Sequence, residues 1–184
     1  MTASYNIAVI TGSLRKEAFS RRLAMAAIKL APGHKFDVVP IGDLPLFNQD
    51  LEQTPPAPWT TFRDRVRPAD AVLFVTPEYN RSMPGVLKNA IDVGSRPYGQ
   101  SVWNGKPGAV IGTSPGAMGG FGANHHLRQS LTFLNVPVLQ QPEAYLGRIG
   151  GAFDDHGELT DESVRKFLTG FMEAFIAWIG QQKK

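Results

Sequence analysis

Two rhythms of hydrophobic and polar positions alternate along the chain: short runs that are apolar throughout, and longer stretches with apolar residues every three or four positions. Ile7-Ala8-Val9-Ile10 is a run of the first kind, and a loop from Thr11 to Phe19 follows it. Leu23, Ala27 and Leu30 then share a helical face, with Ser20 placed to cap the helix and Pro32-Gly33 to end it. Phe36 to Val39 reads as a second strand, and the proline-rich stretch Gly42 to Pro58 as irregular. Trp59, Phe62, Val66 and Ala69 repeat at helical spacing ahead of Ala71-Val72-Leu73-Phe74-Val75, a buried strand that ends at Thr76-Pro77. Val86, Leu87, Ala90 and Ile91 predict a helix that Pro84 starts. A fourth strand at Ala109-Val110-Ile111 leads into a glycine-rich loop from Gly112 to Gly122. Leu127, Leu131 and Leu134 form the next helical stripe, and Val136-Pro137-Val138 begins a short fifth strand. The longest helix carries Val164, Phe167, Leu168, Phe171, Phe175, Trp178 and Ile179 on one face.

Strands that are apolar throughout imply burial on both faces, as in a parallel sheet covered by helices. The pattern therefore predicts an α/β protein: a doubly wound, five-stranded parallel sheet in a three-layer αβα sandwich. No repeat or linker interrupts it, so residues 1–184 read as a single domain. Composition agrees, since 42% hydrophobic and 19% charged residues exclude disordered and fibrous architectures. The chain has no Cys, which excludes a disulfide scaffold, thiol catalysis, iron–sulfur clusters and Cys-based zinc sites. Nineteen basic against 16 acidic residues give +3, too weak for a committed nucleic-acid binder but favourable to small anionic ligands. No apolar run approaches the roughly 18 residues of a membrane span. Met1 to Asn6 has neither the charged nor the apolar region of a signal peptide. The expectation is a cytoplasmic protein that binds neither nucleic acid nor membrane.

Ligands of doubly wound folds bind beyond the carboxyl ends of the strands, where three loops lie. The first, Gly12 to Ser20, lacks both GxGxxG and GxxxxGK[ST], so it is neither a dinucleotide fingerprint nor a Walker loop. It offers the hydroxyls of Ser13 and Ser20 and the fork donor Arg15 at a helix N-terminus, which suit a phosphate monoester. A solvated surface loop is the alternative. The second loop, Pro77 to Gly85, is stiffened by two prolines. Its backbone amides suit the edge of a planar heterocycle flanked by Tyr79, or it is only a strand-to-helix turn capped by Ser82. The third, Thr113 to Gly122, lets backbone approach a ligand closely, or serves as a flexible connection.

GSLRKEAFS (12–20), TPEYNRSMPGVLKNAID (76–92) and GTSPGAMGGFG (112–122), each at a strand terminus, together resemble the NADPH-dependent FMN reductase family. The similar subgroup is that of the bacterial chromate and quinone reductases, which have a flavodoxin-like fold. The resemblance runs through HLRQSLTFLNVPVLQQPEAY in the C-terminal third. It implies bound FMN, with the phosphate held by Ser13, Arg15 and Ser20 and Phe19 alongside. It places the isoalloxazine against Pro77, Glu78, Tyr79 and Asn80, with Ser114 reaching it from the third loop. It further implies two-electron transfer from NADPH or NADH to quinones, chromate or related small acceptors by a ping-pong mechanism, in a homodimer or homotetramer. Azo reduction and supply of free reduced flavin are neighbouring activities. Three positions depart from the family pattern: Lys16 to Ser20 stands where KGSFN is usual, Arg81 replaces an aromatic after PEYN, and His125 replaces a tyrosine before HLRQ.

No catalytic dyad is evident, and fixed N–H donors suffice to stabilise charge on a reduced flavin. Glu78 reads as structural. Arg81, at the rim of the proposed cleft, would attract the 2′-phosphate of NADPH or an anionic acceptor, or it only pairs with a surface carboxylate or a partner subunit. His34, His125, His126 and His156 lack metal-ligand spacing, so no metal is expected. His125 and His126 open a helix and read as interface or capping residues. Trp103, in a polar loop, is placed to line the mouth of another subunit's site. An electron-carrier flavodoxin would share the fold, but such carriers are acidic, against the +3 here. A flavin-binding structural or sensory protein is the other rival, separable by turnover with NADPH and a quinone.

Overall fold

Alternate residues of one strand feed opposite cores, which is why the strands are apolar throughout. Ile7 and Val9 of β1 (Asn6–Thr11) pack against one set of helices, whereas Ala8 and Ile10 pack against the other. The computed structural model describes residues 3–183. Met1 and Thr2, the start of the segment considered above as a signal peptide, lie outside the described residues.

β1 is joined by β2 (Lys35–Val38), β3 (Ala71–Pro77), β4 (Gly108–Thr113) and β5 (Ala144–Leu146) in one parallel sheet of order β2-β1-β3-β4-β5. This is the flavodoxin-like order, and the expected class is the observed one. Helices α1 (Phe19–Lys29) and α5 (Glu162–Gln182) cover one face. Helices α2 (Ala57–Val66), α3 (Gly85–Gly94) and α4 (Phe121–Phe133) cover the other. β2 and β3 flank β1 on opposite sides, so the chain reverses its direction of winding there and opens a crevice above the strand ends. The register sets Thr11 opposite Val75 and Pro77 opposite Thr113, which brings the three candidate loops to one edge. No helix among the described residues is long and apolar enough to cross a membrane.

Several local expectations are corrected. The fifth strand forms at Ala144–Leu146, while Val138 makes only an isolated bridge to Gly108. Pro137 and Pro142 have no N–H to donate, so a ladder cannot run through the intervening segment. α2 stops at Val66, ahead of Ala69. Pro84 occupies the N-cap of α3 rather than its first turn, and Ser82 does not cap that helix. Ala18, not Ser20, is the N-cap of α1, which leaves Ser20 inside the helix.

Trp103 does not line a subunit mouth. Its indole is fully buried, tilted against Phe62 and Phe74 with ring centroids 6.0 and 5.7 Å away. The indole N–H donates to the Ile91 carbonyl at 3.0 Å. Asn104, Gly105 and Lys106 supply the polar turn, and the tryptophan between them and Val102 points inward.

Candidate active site

The first loop carries a set of anion donors. Ser13 Oγ accepts from the Arg15 amide at 3.3 Å, and the Ala18 amide donates to the Arg15 carbonyl at 3.3 Å, so the loop folds tightly onto the start of α1. That start has no side-chain cap and no acidic residue in its first turn. Its free N–H groups and helix dipole are therefore uncompensated. Ser20 is 1% exposed, and its hydroxyl has no hydrogen-bond partner among the described residues. A buried hydroxyl left unpaired costs about 1–3 kcal/mol, so it requires a partner. Arg15 is exposed and makes no ion pair among the described residues. Glu17 is drawn aside by Arg22 at 2.6 Å, whose hydrogen bond and charge hold its carboxyl below the ordinary range. The Phe19 ring stacks on Phe153 at 6.5 Å and anchors the helix start to the core. These donors fit a phosphate monoester.

The second loop is a rigid two-residue turn. Tyr79 and Ser82 exchange backbone hydrogen bonds of 2.9 and 3.0 Å across Asn80 and Arg81, which sit at φ +51° and +65°. Positive φ at both central residues defines the type I′ geometry; Asn tolerates it, and Arg does so at a cost. Ser82 Oγ meets His126 Nδ1 at 2.9 Å, which ties this loop to α4. Tyr79 remains exposed beside Pro77.

The third loop turns on Gly119 and Gly120, at φ +60° and +78°, where an added Cβ would also strike the backbone of Tyr145 and Thr113. Ser114 Oγ accepts from the Gly116 amide at 2.9 Å and so shapes the loop's start. Met118 and Phe121 present exposed apolar surface on the same rim. Behind them, His125 Nε2 contacts the Tyr145 hydroxyl at 2.9 Å, and Phe121 packs on both rings at 4.3 and 5.2 Å. Burial, with Glu143 adding to it, pushes the Tyr145 phenol up to about 12.

Neither His125 nor His126 caps α4, contrary to one expectation. Both lie in its second turn, and the capping carboxylate arrives from the second loop. Glu78 Oε2 accepts from the amides of Gly122 and Ala123 at 2.7 and 3.3 Å. Sequence reading missed this contact because its partners stand 44 positions apart. Among the described residues no cluster of three His, Asp or Glu side chains could hold a metal.

A cavity of about 1200 Å³ lies beside the three loops rather than under them, between α3 and α4. It reaches the second loop at Ser82, Met83 and Gly85 and meets His126 of α4, and Tyr98 and Phe133 stand on it 90% and 89% exposed. The anion-ready loop, not cavity size, locates the chemistry.

The family model of the NADPH-dependent FMN reductases matches residues 5–150. The chain belongs to that family. FMN is the family's cofactor and NAD(P)H its electron donor, in agreement with the phosphate-ready first loop. A quinone reductase of Pseudomonas putida is 58% identical over 181 residues, 97% of each chain. A 2-hydroxy-1,4-benzoquinone reductase of a Burkholderia species is 48% identical over 178 residues, 96% of this chain and 97% of its own. The solved structure of the flavoenzyme NAD(P)H:(acceptor) oxidoreductase FerB of Paracoccus denitrificans superposes with a TM-score of 0.91. It is 45% identical, covering 97% of this chain and 98% of its own.

Proposed function

We propose that this member of the FMN reductase family is a quinone reductase that oxidises NAD(P)H and passes two electrons to quinones or related small acceptors, chromate among them. The carrying observation is the buried Ser20 hydroxyl, unpartnered among the described residues, beside an uncapped helix start and an Arg15 that makes no ion pair among them. Ser13, Arg15 and Ser20 hold the FMN phosphate, with Phe19 fixing the backbone between them. Pro77, Glu78, Tyr79, Asn80 and Ser114 frame the ring. FMN, when bound, supplies two-electron chemistry that amino-acid side chains lack. The overall reaction balances as NADPH, a proton and quinone giving NADP⁺ and hydroquinone.

The protein's part is binding, orientation and charge. Rigid turns of the second and third loops present fixed backbone donors, which cost no reorganisation when charge develops. Exposed Tyr79, Met118 and Phe121 give the rim an apolar character suited to a planar aromatic acceptor. The relatives named quinone reductase support the same acceptor class. Donor and acceptor take the cleft in turn. Initial rates with NADPH and benzoquinone are therefore expected to give parallel double-reciprocal lines; intersecting lines would overturn the ping-pong order. The cytoplasm, where NAD(P)H is held, is the proposed compartment, and residues 1–184 act as one FMN-binding domain.

Arg81 is rooted in the type I′ turn, 3.3 Å from Glu78, with its side chain 75% exposed. Its charge faces solvent at the cleft rim, where it attracts the 2′-phosphate of NADPH or an anionic acceptor. Arg81→Ala is expected to raise the KM for NADPH about 2- to 5-fold, as an exposed ion pair would, and to flatten its salt dependence. KM values for NADH and neutral quinones should change less, through the lost Glu78 contact alone. Equal changes for charged and neutral substrates would remove this role from Arg81.

Assembly with a second copy is supported by the α3–α4 face. Phe133 and Tyr98 there leave apolar surface in water, the kind of patch a two-fold mate covers. A dimer or tetramer is expected in sedimentation; a mass near 20.1 kDa at micromolar concentration would refute it.

A further inference from the structure

The second and third loops are separate connections, yet one side chain joins them. Glu78 leaves the end of the second loop's strand and turns its carboxylate into the first turn of α4. Gly122 donates at 2.7 Å and Ala123 at 3.3 Å to the same oxygen, while Arg81 approaches the other oxygen at 3.3 Å. The Glu78 side chain is only 12% exposed, so water and salt screen its contacts with α4 little, whereas the Arg81 side chain is 75% exposed and its pairing is screened. Both hydrogen bonds are charge-assisted, and the carboxylate lies at the positive end of the α4 dipole. α4 has no cap of its own, because its N-cap is Gly120. The approach is close enough to require glycine: a Cβ at Gly122 would meet the Arg81 carbonyl oxygen at 2.7 Å and Glu78 Oε2 at 3.1 Å.

We propose that Glu78 is a positioning residue that fixes the separation of the two ring-flanking loops, and so sets affinity for the flavin ring independently of the phosphate. The proposal rests on the FMN reading of the site. Its physical basis is that the Asn80–Arg81 turn sits in left-handed backbone and needs external restraint to hold one geometry. Glu78 supplies that restraint from both sides: one oxygen holds Arg81 of the turn, and the other holds the neighbouring helix. The α4 N-terminus is thereby filled by the protein's own anion, which leaves the uncapped α1 N-terminus for the ligand's phosphate.

The test compares FMN with riboflavin, which has the same ring and no phosphate, by fluorescence titration of the flavin-free full chain. Glu78→Ala is expected to weaken both ligands by the same factor, about tenfold for the loss of a charge-assisted contact. Glu78→Gln should restore most of the loss, because its amide oxygen still accepts from Gly122. Arg15→Ala, in contrast, should weaken FMN and leave riboflavin unchanged. A Glu78→Ala loss confined to FMN, or no loss for either ligand, would overturn the proposal. Failure of Gln to restore affinity would also overturn it in favour of a requirement for charge alone. Wild-type protein that binds neither flavin would instead overturn the FMN reading itself. Should Glu78→Ala not fold, Glu78→Asp, one methylene too short to reach Gly122, carries the same comparison.

Discussion

Replacing Ser20 with alanine is expected to stabilise the flavin-free protein by about 1 kcal/mol and to weaken FMN binding roughly 10- to 100-fold. The two effects have opposite signs for one physical reason. Without ligand, the Ser20 hydroxyl is buried at 1% exposure with no partner among the described residues, so removing it relieves a desolvation cost. Alanine also has the better helix propensity at this position inside α1. With FMN bound, the same hydroxyl would donate to a charged phosphate oxygen, a contact of about 1.5–3 kcal/mol. Urea denaturation of the flavin-free protein and fluorescence titration with FMN read the two halves separately. A variant that loses stability while keeping its FMN affinity would show that Ser20 is an ordinary packing residue.

Trp103→Ala is expected to remove about 3–5 kcal/mol of stability, the range for a fully buried large aromatic. For a chain of this size that lowers the Tm by roughly 6–20 °C. The indole fills the space between Phe62 and Phe74 and lies on Gly94, which has no Cβ to push it away. Its loss also leaves the Ile91 carbonyl without the indole donor. Because Ile91 belongs to α3, whose start follows the second loop, FMN affinity should fall along with stability. A loss under about 1 kcal/mol would contradict core burial and return Trp103 to a subunit interface.

The sheet was legible because its inner strands are covered on both faces. Ala71 to Val75 and Ala109 to Ile111 must be apolar at every position, and runs so short and so uniformly apolar fit buried parallel strands. β5 was not legible for the converse reason. It is a three-residue edge strand containing the half-buried Tyr145, and the more apolar Val136 to Val138 nearby competes with it. Ser20 was visible as a hydroxyl at a helix start, but its place in the first turn, rather than at the cap, required the backbone. Trp103 misled because polar neighbours describe the turn and not the direction of one side chain. The Glu78–Gly122 contact depends on Pro77 lying opposite Thr113 in the β3–β4 register, which no local pattern encodes.

If the three loops hold FMN where NADPH can reduce it and a quinone can reoxidise it, the bound flavin must cycle between two colours. The direct measurement is the visible absorption of the FMN-reconstituted protein without oxygen, first on adding one equivalent of NADPH and then one equivalent of benzoquinone. Bleaching of the flavin colour by NADPH, and its full return with benzoquinone, is the predicted result. Colour that NADPH leaves unchanged, or that benzoquinone fails to restore after bleaching, would contradict it.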